Sequence, residues 1–305
     1  MNRFITLVKR EYWENRNVFV TIPLIFSVII ILFVVGITVL TLFTNHASVF
    51  FHMNDPNANI GVFVSRTFFL VSFPFAIILW LVLFNYFLTT LYTERKDGSI
   101  LFWQSMPVTQ TETIISKWFV GLIVAPITAL LVTIVTGLVV LALVSIIVWN
   151  MGGITPWMLW SGTHLFVSWA ALFVAFLMQG FWLFPLLAWC LFCSAFSNKS
   201  PFLRAVLVPL MLILLEFFID KQHYVLFFVK KCFVLAMNAW GQVFEWLGGS
   251  VVTPVKTNVM YAVGHHYAGM SVRHYTIFVV LSVGLGLLFT ILAGWIRSRC
   301  YGYER

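Results

Sequence analysis

The sequence predicts an all-α polytopic membrane protein with six transmembrane helices, an N-terminal interfacial helix and an extracytoplasmic helical loop before the last span. Three observations predict it. Of 305 residues, 61% are hydrophobic and 9% charged, whereas a soluble globule carries about 25% charged residues. Mean hydropathy is +0.99, too high for a chain that must cover its own surface in water. The apolar residues also come in blocks, most of them longer than the roughly 20 residues that cross a bilayer. The same numbers exclude a disordered chain, a disulfide-stapled secreted module and a soluble nucleotide-handling domain.

The spans fall at about 18–43, 67–91, 113–149, 160–196, 202–219 and 275–296 of one transmembrane domain, 1–305. No charged residue occurs from Trp118 to Asn198. Asn150-Met151-Gly152-Gly153-Ile154-Thr155-Pro156 breaks that run, because Gly pairs and Pro interrupt helices. The fifth span is the weakest: Arg204 can snorkel to the headgroups, but Glu216 has no such outlet. A rival count of seven folds 157–196 back on itself near Gln179-Gly180. Charge placement favours six. With both termini inside, the cytoplasmic pieces hold twelve Lys and Arg and the outer pieces six, five of those in the outer loop 220–273. Basic residues concentrate on the cytoplasmic side, and a seventh span would export Lys199 and the basic C-terminus. The net charge of +8 then reads as anchoring against anionic lipid. Nucleic acid is not expected as a partner, since the aromatic residues lie in apolar runs and do not interleave a basic stripe.

Val18–Phe43 is longer than the apolar core of a cleavable signal, about 7–15 residues. Before it, residues 2–16 place Phe4, Ile5, Val8 and Tyr12 on one helical arc with Leu7 at its edge, while Arg3, Lys9, Arg10 and Glu14 cover much of the rest. That pattern predicts a helix lying along the cytoplasmic interface.

The loop 92–112 joins spans two and three. Glu94, Arg95, Lys96, Asp97 and Gly98 make a hydrophilic turn. Ser99 can cap a short helix bearing Ile100, Leu101, Phe102 and Trp103, and Pro107 discourages its continuation. Thr109-Gln110-Thr111-Glu112 is a capping-box pattern that starts the next helix. Four large apolar side chains in such a loop either pack on the chain's own helices and membrane or fill a groove on another protein. Loop composition leaves both open.

The phrase Glu94-Arg95-Lys96-Asp97-Gly98-Ser99, followed by Leu101-Phe102-Trp103-Gln104-Ser105-Met106-Pro107-Val108, is similar to the first cytoplasmic loop of type-2 ABC exporter permeases. So are Pro185-Leu186-Leu187-Ala188-Trp189 leading to Ser194-Ala195-Phe196-Ser197-Asn198-Lys199-Ser200-Pro201-Phe202-Leu203, and the opening Lys9-Arg10-Glu11-Tyr12-Trp13-Glu14. The chain thus resembles a permease subunit of that family in the bacterial cytoplasmic membrane, with both termini cytoplasmic. The resemblance implies a substrate pathway formed with a second copy of the permease and two cytoplasmic ATPase subunits as partners. Residues 2–16 would be the connecting helix and Ser99–Ser105 the coupling helix. Contact with the ATPase would involve Glu94, Arg95, Lys96, Asp97, Ser99, Ile100, Leu101, Phe102 and Trp103, and a lesser contact Asn198 and Lys199. The segments after span five would resemble re-entrant outer helices. Tyr224–Val229 and Cys232–Met237 are apolar runs separated only by Lys230 and Lys231, and they can dip into the outer leaflet.

No Gly-x-x-x-x-Gly-Lys-Ser/Thr loop occurs, so no cofactor is expected in this chain, and ATP and Mg belong on the partner ATPase. Polar or small residues within spans are pathway candidates: Asn85, Thr89, Thr133, Thr136, Gly137 and Gln179. Each is also an ordinary helix-packing residue. Cys190-x-x-Cys193 has metal-ligand spacing but no second pair to complete four ligands, and histidines such as His265, His266 and His274 fall at the outer side. The alternatives are an ion-coupled carrier or channel, which commonly needs mid-membrane ionisable groups, and a polytopic membrane enzyme. The latter would have to use a pair such as Ser161 and His164, with no orienting acid nearby. A membrane-bound protein that supports an exporter without forming its pathway is a further reading.

Overall fold

A computed structural model describes residues 3–44, 60–98, 109–151, 157, 160, 165–197, 200–219, 224–252 and 272–299. In chain order the elements are α1 (Arg3–Glu14), a π-helical turn (Asn17–Thr21) running into α2 (Ile22–Thr44), α3 (Ile60–Lys96), α4 (Gln110–Phe119), and a second π-helical turn (Val120–Val124) running into α5 (Ala125–Met151). They continue as α6 (Leu165–Phe196), α7 (Pro201–Ile219), α8 (Tyr224–Val252) and α9 (Val272–Arg299). The described residues contain no strand.

Seven helices among them are long and apolar enough to cross a membrane: Asn17–Phe43, Leu70–Lys96, Gln110–Ile147, Leu165–Phe196, Pro201–Ile219, Tyr224–Gly241 and Tyr275–Arg299. Six match the expected spans. The additional one lies in the segment read as an outer loop. The rival seventh span does not form, because α6 runs unbroken through Gln179 and Gly180.

Long helices follow from uninterrupted apolar sequence, since a backbone in lipid must satisfy its own polar groups. Where the sequence gives an explicit start signal, it is used. Thr109 accepts from the Glu112 N–H at 3.2 Å, and Glu112 accepts from the Thr109 N–H at 2.9 Å, the reciprocal pair that opens α4. Both π-turns widen the helix at its entry. In the second, the Ala125 N–H bonds the carbonyl of Val120, five residues back.

The core is built on α3 and α6. Phe75, Leu79, Leu83 and Phe87 of α3 and Leu172, Phe176, Leu183, Leu187 and Leu191 of α6 are buried. Around them α8 and α9 pack on α6, and α5 carries α2. α2 and α7 leave most of their apolar side chains uncovered, with Phe33, Phe43, Phe202 and Phe218 exposed. That distribution suits a bundle whose solvent is lipid.

α1 forms where expected, but its buried line differs from the expected arc. Leu7 and Glu11 are buried, whereas Ile5 is 61% exposed. The reason is the neighbour: α1 packs against α4, with the Phe4 and Phe119 rings 5.7 Å apart, and a cation on α4 draws Glu11 inward.

Candidate functional site

Four elements bring charge to one end of the bundle. α1 contributes Arg10 and Glu11, the last turn of α3 contributes Glu94, α4 contributes Lys117, and the last turn of α9 contributes Arg297. Lys117 and Glu11 are each 1% exposed. The Lys117 ammonium donates to Glu11 Oε1 at 2.7 Å, Thr90 Oγ1 at 2.8 Å and Glu94 Oε1 at 2.8 Å. Its three protons therefore each meet an acceptor. Glu94 Oε1 also receives Arg10 Nη2 at 3.2 Å, and its Oε2 lies 2.9 Å from Arg297 Nη2. Tyr86 donates its hydroxyl to Glu11 Oε2 at 3.3 Å. Arg10 Nε reaches Glu14 at 2.8 Å.

Three carboxylates thus face three cations, and the cluster is neutral. Burial alone would lower the pKa of Arg10. The hydrogen bond that Arg10 donates to Glu14 and the fields of Glu11, Glu14 and Glu94 outweigh it and raise the pKa above the ordinary arginine value. A buried charge left without its partner costs several kcal/mol, so each member requires the others. The consequence is mechanical: the two stems of the 97–109 connection, α3 and α4, are tied to each other, to α1 and to α9.

Arg95 makes a second tie. Its Nη2 donates to the carbonyls of Ser194 and Ser197, both at 2.6 Å, at the end of α6. The Ser194 hydroxyl accepts from the backbone N–H groups of Leu91 and Tyr92. A guanidinium at a helix C-terminus satisfies carbonyls that the helix cannot.

Of the residues expected at a partner contact, Glu94 and Arg95 have their charged groups turned into the chain. Lys96 and Asp97 are exposed, and Gly98 takes the left-handed backbone, φ 67°, that ends α3. Ser99, Ile100, Leu101, Phe102 and Trp103 lie outside the described residues, as do Asn198 and Lys199.

The pathway candidates separate. Asn85 is exposed, and Thr89 bonds its carbonyl at 2.9 Å. Thr133 and Thr136 are buried and bond the carbonyls of Ala129 and Val132 in their own helix. Thr136 also meets Ser27 of α2 at 2.7 Å. Gly137 gives the Phe68 ring its seat. Gln179 is fully buried, donates to the Ala76 carbonyl of α3 at 2.8 Å and accepts from Trp240 Nε1 of α8 at 2.8 Å. Gln179 therefore fastens three helices together. No group of three or more metal-ligating side chains occurs among the described residues, and Cys190 and Cys193 lie buried on α6.

Sequence reasoning missed the cluster, although a signal was present. Glu11 stands four residues after Leu7, three after Val8 and seven after Phe4, so it falls inside the apolar stripe of α1. A carboxylate there demands an internal cation, and Lys117 is such a cation at the edge of an 81-residue uncharged run.

Comparison with known proteins returns nothing for this chain: no family, no curated protein and no solved structure matches it.

Proposed function

We propose that the chain is the membrane-spanning permease subunit of an ATP-driven exporter of the type-2 ABC kind. It would form its pathway with a second copy and be driven by two separate cytoplasmic ATPases. The observation that carries the reading is the cluster of Glu11, Glu94, Lys117 and Arg297. A loop that receives a push from a motor must stand on a stiff base connected to the rest of the bundle. Here both stems of the loop are held by buried ion pairs to the first and last helices, and Arg95 adds α6. Displacement of Ser99–Ser105 would then move α3, α4, α6 and α9 together, a shift between two packings of one bundle.

Six crossings fit this arrangement better than seven. Glu94, Lys117 and Arg297 meet at the end where α1 lies, so the C-terminal end of α9 and the N-terminal helix share one side. Arg95 brings the end of α6 there too. Between the end of α6 and the start of α9 the chain must therefore make a net single crossing. α7 supplies it, and α8 stays in the half of the bundle away from the charge cluster. The side chains of α8 support this placement. Phe233 meets Trp80 and Phe84, and Trp240 meets Phe73, all on α3. The nearest of these α3 residues is ten residues before Glu94, or about 15 Å along the helix. The end carrying Arg10, Arg95, Lys96, Lys117, Arg297 and Arg299 is then cytoplasmic, in the inner membrane of a bacterium.

Purification from native membranes in mild detergent tests the reading. The expected result is a stoichiometric ATPase whose retention or hydrolysis falls on Phe102→Ala or Trp103→Ala. A chain that consistently arrives without one, in conditions that preserve comparable complexes, overturns it.

A further inference from the structure

The exposed line of α8 consists of Tyr224, Phe227, Lys230, Val234, Met237 and Gly241, spaced by three and four residues. It is apolar along its length except at Lys230, with the half-buried Lys231 beside it. Neither ammonium has a hydrogen bond or ion pair with any described residue. Their neighbours in sequence give their depth. Phe228 packs on Phe278 at 5.4 Å, nineteen residues before Arg297, or about 28 Å along α9. Phe233 packs between Trp80 and Phe84, about 15–21 Å along α3 from Glu94. With a hydrocarbon layer about 30 Å thick, the pair sits in the half of the bilayer away from the charge cluster.

Two adjacent cations at that depth are costly unless something anionic or aqueous meets them. The surrounding segment makes matters worse. Residues 220–273 hold five Lys and Arg against two acids, Asp220 and Glu245, on the side where basic residues are ordinarily sparse. Glu216, the carboxylate of the neighbouring helix, is committed to the Val225 N–H at 3.0 and 3.1 Å.

We propose that Lys230 and Lys231 bind the anionic headgroup of an amphiphilic cargo, whose apolar part lies along the exposed side chains of α8. Two ammonium groups form a compact double positive charge suited to a phosphate headgroup, which lysine binds as a point charge. Phe227, Val234 and Met237 on the same face offer apolar surface to the hydrophobic part. The assignment names the substrate class of the permease reading and rests on it.

The test uses the full chain, purified and delipidated, with phosphatidylglycerol and phosphatidylcholine as probes. Native mass spectrometry measures binding without any ATPase, so this arm is independent of whether an ATPase partner exists. Expected is binding of phosphatidylglycerol in preference to phosphatidylcholine. It should be weakened roughly tenfold or more in Lys230→Gln/Lys231→Gln, retained in Lys230→Arg/Lys231→Arg, and unaffected in Lys221→Gln/Lys256→Gln. The second arm follows ATP-dependent movement of labelled phosphatidylglycerol between leaflets by the chain with its co-purified ATPase. Loss of both binding and movement in the Gln pair supports the proposal. Unchanged binding overturns it. Lost binding with undiminished movement also overturns it, leaving a resident bilayer lipid at the site.

Discussion

Lys117 bridges the two buried carboxylates of the charge cluster, Glu11 and Glu94. Replacing it with Met leaves Glu11 and Glu94 buried beside each other with fewer cations, and a broken buried pair costs about 3–5 kcal/mol. Lys117→Met is therefore expected to lower the thermal midpoint of the detergent-solubilised protein sharply. Adding Glu11→Leu should recover part of that loss, because removing both partners leaves no orphan charge. Additive losses in the double variant would show that the pair does not act as one unit. Gly121 makes a second test at this scale. A Cβ there would stand 2.7 Å from the Phe87 ring, which is buried between Tyr86 and Trp118. Gly121→Ala should cost about 1–3 kcal/mol in the same assay, and a neutral effect would mean that the ring has room to retreat.

At the scale of elements, α8 is held to the bundle by aromatic packing, by Glu216 of α7 on the Val225 N–H, and by Gln179 of α6 on Trp240. Gln179→Leu removes both the acceptor that Trp240 Nε1 uses and the donor to the buried Ala76 carbonyl, a loss of about 1–3 kcal/mol. The local consequence is readable chemically. Cys232 lies on the buried side of α8, so in a chain with Cys190, Cys193 and Cys300 replaced by Ser it should react slowly with a maleimide. Gln179→Leu should accelerate that reaction several-fold. An unchanged rate would show that the remaining contacts fix α8 without Gln179. The helices themselves were legible because uncharged length is a strong signal and Gly-Gly and Pro mark its breaks. α8 was not read as one helix, because Lys230 and Lys231 divide its apolar run into two short pieces. In the structure the lysines lie on or beside its exposed line, and the buried line of Cys232, Leu235, Ala236 and Ala239 continues past them.

For the whole molecule, the meeting of α1, α3, α4 and α9 fixes which ends lie together. Single cysteines at Lys9, Asp97 and Ser298, in a chain stripped of its native cysteines, should all be modified by an impermeant thiol reagent from one side only. A cysteine at Phe218, at the far end of α7, should be modified from the other. Labelling of Ser298→Cys from the side opposite Lys9→Cys would require an odd number of crossings and would undo the six-span reading. Less of this long-range organisation than of the helices was visible in sequence. Glu94 and Lys117 are 23 positions apart, and Glu11 and Arg297 are 286 apart, so no periodicity within a window relates them. Glu94 and Arg95 looked like loop charges because they stand next to Lys96 and Asp97. Within a single turn of α3 the charges pass from inward to outward, and only the packed neighbours decide where that boundary falls.

The two π-turns act as phase shifters. Each holds one residue more than an α-turn would, and a single residue rotates everything after it by about 100° around the helix axis. Ser27 lies beyond the turn at Asn17–Thr21 and Thr136 beyond the turn at Val120–Val124, so their 2.7 Å contact requires both offsets. Deleting one residue from either turn should swing its helix out of step and part the two hydroxyls, whereas one deletion in each would rotate both helices without restoring the old face of either. The dial setting of α2 against α5 is thus written in two short stretches near the charged end, about 9 and 18 Å along their helices from the polar contact they align.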